Sequence, residues 1–158
     1  MKVGYRGDKN NWRDGYKNHS TGNYAVEIVK LAVRKDPDWK ELLRDGGKVD
    51  SFAHYHLGGL KPTQLRKFFD QVRQLKDKAR NKNVDWRDIE ADLWMIVPTL
   101  KYAKGRKSVP DDFLHFVTKG VEAVSNGNSE EEKRELLLNF IKVFEAVVAY
   151  HKFYHPKD

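Results

Sequence analysis

The stretch 129-SEEEKRELLLNFIKVFEAVVAYHKFYHPKD-158 decides the fold. Ser129 with Glu132 three residues on forms a capping box, the sequence signature of a helix start. From there Leu136, Leu137, Leu138, Phe140, Ile141, Val143, Phe144, Val147 and Val148 follow a helical period and cover most of the circumference. A helix apolar nearly all round is surrounded by protein. The pattern therefore predicts a long helix to about Tyr154, at the centre of a bundle or half in the core and half against another subunit. Pro156 stops it. The abrupt turn to aromatics and histidines at its end leaves three options: a metal or catalytic site, a nucleic-acid contact, or the polar-tipped end of a buried helix. Tyr150 and His151 fit the last, as anchors in the core or at a subunit contact.

Working backwards, Pro110 suits the first turn of one helix, Asp85 can cap another, and Thr63 can cap a third running to about Asn81. A first helix is expected over about 23–35, carrying Ala25, Ile28, Val29, Ala32 and Val33. A short helical turn follows near Trp39–Leu43 and ends at Gly46-Gly47. Residues 48–60 read as an ordered loop with a strand-like or helical turn. No strand with clean alternation and no internal repeat is visible. The expected fold is all-α, a compact bundle of about five to six helices with a long central C-terminal helix. Residues 1–22 are rich in Gly, Asn and charge and read as a flexible basic and aromatic arm, whose Tyr5, Trp12 and Tyr16 could stack on bases. Residues 23–158 form a single α-helical domain.

At 158 residues the chain can bury a core without disulfides or a metal. It has no cysteine, so disulfide frameworks and Cys-based zinc sites are excluded. No stretch approaches the roughly 20 apolar residues needed to cross a bilayer, and no signal-peptide core opens the chain. A soluble, cytoplasmic protein with no membrane partner is expected. The net charge of +7 and pI of about 9.5 suggest a polyanionic partner. Its distribution says more. Residues 1–59 carry 11 basic and 8 acidic side chains, residues 60–107 carry 13 and 6, and residues 108–158 carry 6 and 9. The middle third thus holds as much positive charge as the whole molecule. A solvated basic face without a ligand is the alternative.

That middle third contains two basic elements. In 63-TQLRKFFDQVRQLKDKARN-81, Leu65, Phe68, Phe69, Val72, Leu75 and Ala79 form a core stripe, and Arg66, Arg73 and Arg80 recur every seven residues along its flank. On a helix they stand roughly 10.5 Å apart, a line that matches a phosphate backbone better than a small anion. The competing reading pairs Asp70 with Arg66 or Arg73 on a solvated face. In 93-LWMIVPTLKYAKGRK-107, Pro98 should bend or break the helix. Lys101, Lys104, Arg106 and Lys107 gather after it around Tyr102, with Gly105 expected as a left-handed cap. His151 and His155 at i,i+4, with His54 and His56, could make a metal site, the basis of a metal-dependent hydrolase as a rival function. Lys-Phe-Tyr lies between the first pair, and the glutamate of the metalloprotease motif is missing. No cysteine nucleophile, serine elbow or phosphate-cradling glycine loop is visible, so neither a catalytic residue nor a cofactor is assigned. A free nucleic-acid-binding helical regulator is the other rival.

Taken together, 60-LKPTQLRKFFDQV-72, 93-LWMIVPTLKYAKGR-106 and 145-EAVVAYHKFY-154 resemble the small subunit of the type III-A CRISPR effector, the Csm complex. The resemblance spans about half of the chain and leaves residues 1–22 and 36–58 unmatched. It implies an α-helical, non-catalytic subunit in antiviral defence. Copies would stack head to tail as the inner filament, beside the backbone and large subunits, facing guide and target RNA. Whether the isolated subunit is a monomer or an exchanged-helix dimer stays open. On the matched motifs the resemblance carries RNA contacts to Thr63, Arg66, Lys67 and the Gly105-Arg106 turn. The charge analysis alone adds Lys61, Arg73, Lys101 and Lys104.

Overall fold

The computed structural model describes residues 23–106 and 108–157. The arm expected over residues 1–22 falls outside them, as does Lys107. Every regular element among the described residues is helical: α1 Tyr24–Ala32, α2 Trp39–Leu43, α3 Lys48–Ser51, α4 Pro62–Arg73, α5 Leu75–Arg80, α6 Trp86–Gly105, α7 Asp111–Ser125 and α8 Glu130–Tyr154. The ambiguous segment 48–60 is helical as well, α3 widening into a π-helical turn over Phe52–His56.

Local chemistry sets most of the boundaries. Asp38, Asp85 and Ser129 each accept a backbone N–H of the helix they precede, replacing a partner that the first turn lacks. At the start of α4 the expectation fails. Thr63 lies inside the helix, and Lys61 occupies the N-cap position with no side-chain cap. Pro62 sets this start, because its fixed φ and missing N–H suit the first helical position. The expected continuous helix to Asn81 is also interrupted at Gln74, whose backbone stays right-handed, so Arg80 belongs to the separate α5. Conversely, α6 runs through Pro98 without interruption. Among the described residues the left-handed glycine is Gly46, at φ 75°, and not Gly105, which is the last residue of α6.

Helix α8 is the hub, packing against α1, α3, the π-turn, α4, α5 and α7. Its buried side holds Leu136, Leu137, Phe140, Ile141, Val143, Phe144 and Val147. It is less apolar all round than expected, since Glu131, Glu135, Lys142, Glu145 and Lys152 keep a solvent-facing strip, with Leu138 and Val148 at its borders. Around Phe144 lie the rings of Phe69, Phe113, Phe116 and Phe140. Gly120 lets α7 approach this cluster: a Cβ there would stand 2.2 Å from the Phe140 ring.

Polar side chains tie distant segments to the hub. The Arg134 guanidinium, 7% exposed, donates to the carbonyls of Lys78, Ala79, Asn81 and Val84, closing the C-terminal end of α5. It also sits over the Trp86 ring. At the other end of α8, Tyr150 donates to the Leu43 carbonyl, His151 meets the Leu57 carbonyl at 3.0 Å, and Tyr154 donates to the buried Asp50. Asp50 also accepts the Gly46 N–H at 2.6 Å, the bond that fixes the left-handed turn. Its carboxylate pushes the Tyr154 hydroxyl up to about 12.

The anchoring role expected of Tyr150 and His151 is what the fold contains. Burial holds the His151 imidazole below its ordinary value of 6.5, only partly offset by the Leu57 carbonyl. A depressed histidine stabilises the fold where both states are neutral, and that contribution is lost as pH falls below the unfolded value, because the unfolded chain then binds the proton first. Urea unfolding of the wild type is therefore expected to show stability declining from pH 7 towards 5, by up to about 1.4 kcal/mol for each unit of separation. The slope should flatten in His151→Gln; an equal slope in both proteins contradicts the assignment.

Candidate nucleic-acid interface

Helix α4 is strongly amphipathic. Leu65, Phe68, Phe69 and Val72 are buried, and the opposite surface holds the cations. Lys61, Thr63, Arg66, Lys67 and Arg73 are all exposed. Asp70 does not neutralise them: among the described residues, no carboxylate lies within ion-pair distance of Lys61, Arg66, Lys67 or Arg73. The arrangement is thus a row of unpaired cations on a rigid rod. Consecutive residues on a helix point about 100° apart, so Arg66 and Lys67 face different neighbours. Lys67 faces α6. Arg66 lines a second groove, against the end of α8.

The basic end of α6 comes to Lys67 through the fold. Helix α6 packs beside α4, and its C-terminus is closed by Ser108, whose N–H and hydroxyl both donate to the Ala103 carbonyl. Gln64 reaches across from α4 to the Ser108 hydroxyl at 3.4 Å. The result is a groove of about 360 Å³ whose walls include Gln64, Lys67, Thr99, Tyr102, Arg106 and Ser108. Arg106 lies over the Tyr102 ring, 5.8 Å from its centroid, and the ring itself is 68% exposed. A guanidinium beside an exposed aromatic face can hold a phosphate while the ring stacks on a base. Lys101 is exposed nearby, and Lys104 is half-buried and paired with Asp111 at 3.1 Å, so its charge is partly committed.

The two sequence motifs thus meet at Lys67 and Arg106, while Arg73 stands nearly two turns further along α4 and Lys61 and Thr63 stand at its start. Sequence reasoning did not find Gln64 or Ser108, because their role is a contact between segments 44 residues apart. It also did not connect Lys152 and Lys157 with Arg66, with which they share the second groove.

The histidines take packing roles, and of the four only His151 and His155 lie side by side, with ring centroids 4.7 Å apart. His54 stacks on Tyr154 with ring centroids 3.7 Å apart, His56 stacks on Tyr24 and lies 3.6 Å from the Asp112 carboxylate, and His151 is held by Leu57. Among the described residues, no three His, Cys, Asp or Glu side chains are placed to hold a metal ion. No helix among them is long and apolar enough to cross a membrane.

A family model described as Csm2 Type III-A matches residues 39–157. It includes α2, α3 and the π-turn, which the motif resemblance had not reached. A curated relative from Enterococcus italicus, described as CRISPR system Cms protein Csm2, is 28% identical over 104 residues, 63% of this chain and 71% of that protein. No solved structure matches the chain. The family match runs from α2 to the end of α8 and takes in both basic elements, and the chain therefore belongs to the Csm2 family of type III-A CRISPR Csm complexes.

Proposed function

We propose that this subunit is a non-catalytic structural component of the type III-A ribonucleoprotein. Several copies stack head to tail as the inner filament, in contact with the other Csm subunits. Each copy holds the sugar-phosphate backbone of guide or target RNA against α4 and the end of α6. The contacts are Lys61, Thr63, Arg66, Lys67, Arg73, Lys101, Lys104 and Arg106, with Lys104 weakened by its pairing to Asp111. The observation that carries this reading is the convergence of Lys67 and Arg106 on one groove, beside exposed cations that no carboxylate among the described residues neutralises.

The physics suits the role. When base pairing reads the sequence, the protein walls need only hold phosphates without preference among bases. Rows of Arg and Lys do this, and repetition along a filament turns a few weak contacts per copy into avidity. Such a complex works in the cytoplasm, where its RNA is found.

The test is the double variant Arg66→Glu/Arg73→Glu in the assembled complex. Target-RNA affinity should fall about tenfold, equivalent to about 1.4 kcal/mol, with the melting temperature of the subunit near wild type because both side chains are exposed. Unchanged RNA affinity contradicts the reading.

A further inference from the structure

Of the five large hydrophobic side chains left exposed among the described residues, three lie on α6: Trp94 at 40%, Met95 at 64% and Tyr102 at 68%. Ala91 and Pro98 are exposed between them. At about 100° per residue, Ala91, Pro98 and Tyr102 all fall within roughly 60° of Met95, so they form one outward stripe that runs about 16 Å from Ala91 to Tyr102. Helix α6 packs its other side on α4, α5 and α7. Trp94 borders the stripe, its indole held by donating to the Ser125 hydroxyl at 2.7 Å. A continuous exposed apolar stripe marks a contact surface.

The charges beside the stripe say what contacts it. Residues 85–95 carry four acidic side chains and one basic, and residues 96–106 carry three basic and none acidic. A surface with one negative and one positive half is complementary to itself turned end over end. Parallel copies would set acid on acid and base on base, whereas antiparallel copies set each half against its opposite and oppose the two helix dipoles as well. The side-chain sizes agree. With a two-fold axis midway between Met95 and Pro98, Met95 of one copy faces Pro98 of the other, Ala91 faces Tyr102, and Asp88 faces the Gly105-Arg106 end. A small residue opposite a large one lets the stripes interdigitate. Asp88 and Arg106 both lie about 20° to the same side of Met95, and an antiparallel two-fold brings like flanks together. Among the described residues neither is engaged in an ion pair.

We infer that α6 is a self-association face: two copies of this chain pair antiparallel through Ala91, Met95, Pro98 and Tyr102, with Asp88 of each bridged to Arg106 of the other. Head-to-tail stacking needs two different surfaces and does not close, but this contact uses one surface twice and stops at two copies. It buries Tyr102 and Arg106, which also wall the groove beside Lys67, and so closes that groove to RNA. This consequence rests on the RNA-binding reading above; the pairing itself does not.

The experiment is sedimentation velocity of the full chain at low salt, where surface charges are least screened. The wild type should be monomeric near about 2 µM and mostly dimeric near about 200 µM, as suits a small contact. Met95→Glu should stay monomeric throughout with an unchanged melting temperature, since the side chain is exposed. Asp88→Arg and Arg106→Asp should each weaken pairing about fivefold, because symmetry removes two bridges at once. Combined in one chain they should restore it, the charges being exchanged across the contact. A wild type still monomeric at the highest concentration overturns the inference, as does a dimer that survives Met95→Glu or a combined variant no better than either alone. If the chain is monomeric by itself but Met95→Glu abolishes assembly with the other Csm subunits, the stripe seats a different protein and the inference fails. Excess single-stranded oligouridylate should return the wild-type dimer to monomer. RNA that sediments with the dimer overturns the closing of the groove, and a chain that binds no RNA in either form overturns the RNA reading alone.

Discussion

Phe144→Ala is expected to lower unfolding stability by about 3–5 kcal/mol. Phe144 is 0% exposed and its ring contacts come from three helices. Phe69 on α4 and Phe116 on α7 lie 5.4 Å away, Phe140 one turn back on α8 at 5.7 Å, and Phe113 at 5.9 Å. Two of these pairs are edge-on, at 75° and 80°, which adds quadrupole attraction to burial. Truncation to alanine leaves a cavity walled by rings that are themselves locked. Phe116 and Phe140 press on each other at 5.7 Å, and Phe140 is pinned against Gly120. Little collapse is available, so the cost should sit near the top of its range. Urea unfolding should show a lower midpoint at unchanged m-value. A loss below about 1.5 kcal/mol would mean that the cluster repacks freely.

Arg134→Ala should cost about 3–4 kcal/mol, by a different route. Nη1 and Nη2 together serve four carbonyls at the end of α5 and in the turn before α6, and removing the guanidinium takes a donor from all four at once, although the Lys78 and Asn81 carbonyls keep the N–H groups of Asn81 and Val84. The Glu130 partner, 3.8 Å away and largely exposed, contributes little. What matters is the fan of fixed donors. Arg134→Lys therefore serves as the discriminating control: it keeps the charge but has no planar fork to span the carbonyls of Lys78 and Val84. It should recover less than half of the loss. Hydrogen exchange should localise the damage, with amides of α5 losing protection before those of α8. Full rescue by lysine would show that charge alone is needed.

The contrast between these positions shows what the sequence could reveal. Helix starts at Asp85 and Ser129 were legible because a cap and its N–H are two or three residues apart. The core face of α4 and the central α8 were legible because periodicity is a local signal. Arg134 follows an acidic first turn and carries no local signal of its role, since its partners lie 50 to 56 residues away. The start of α4 was misplaced because Pro62 and Thr63 compete for the same boundary, and Pro98 does not break α6 because a helix held on both sides tolerates one missing hydrogen bond. At the interface, Arg66, Lys67 and Arg106 stood out by charge. Their division between two grooves did not, because it depends on α4 lying between α6 and α8.

The three bonds from the end of α8 back to residues 43–57 also bear on how the protein is made. Tyr150, His151 and Tyr154 reach partners 107, 94 and 104 residues earlier. The segment around α2, α3 and the π-turn emerges from synthesis about one hundred residues before its closing partners. Until residue 154 is available, the Leu57 carbonyl and the Asp50 carboxylate keep only local donors such as the Leu60 and Gly46 N–H groups, and the apolar faces of the earlier helices wait for their hub. Folding of this helical protein should accordingly be slower than its helix content suggests, because its decisive contacts close a loop of about one hundred residues.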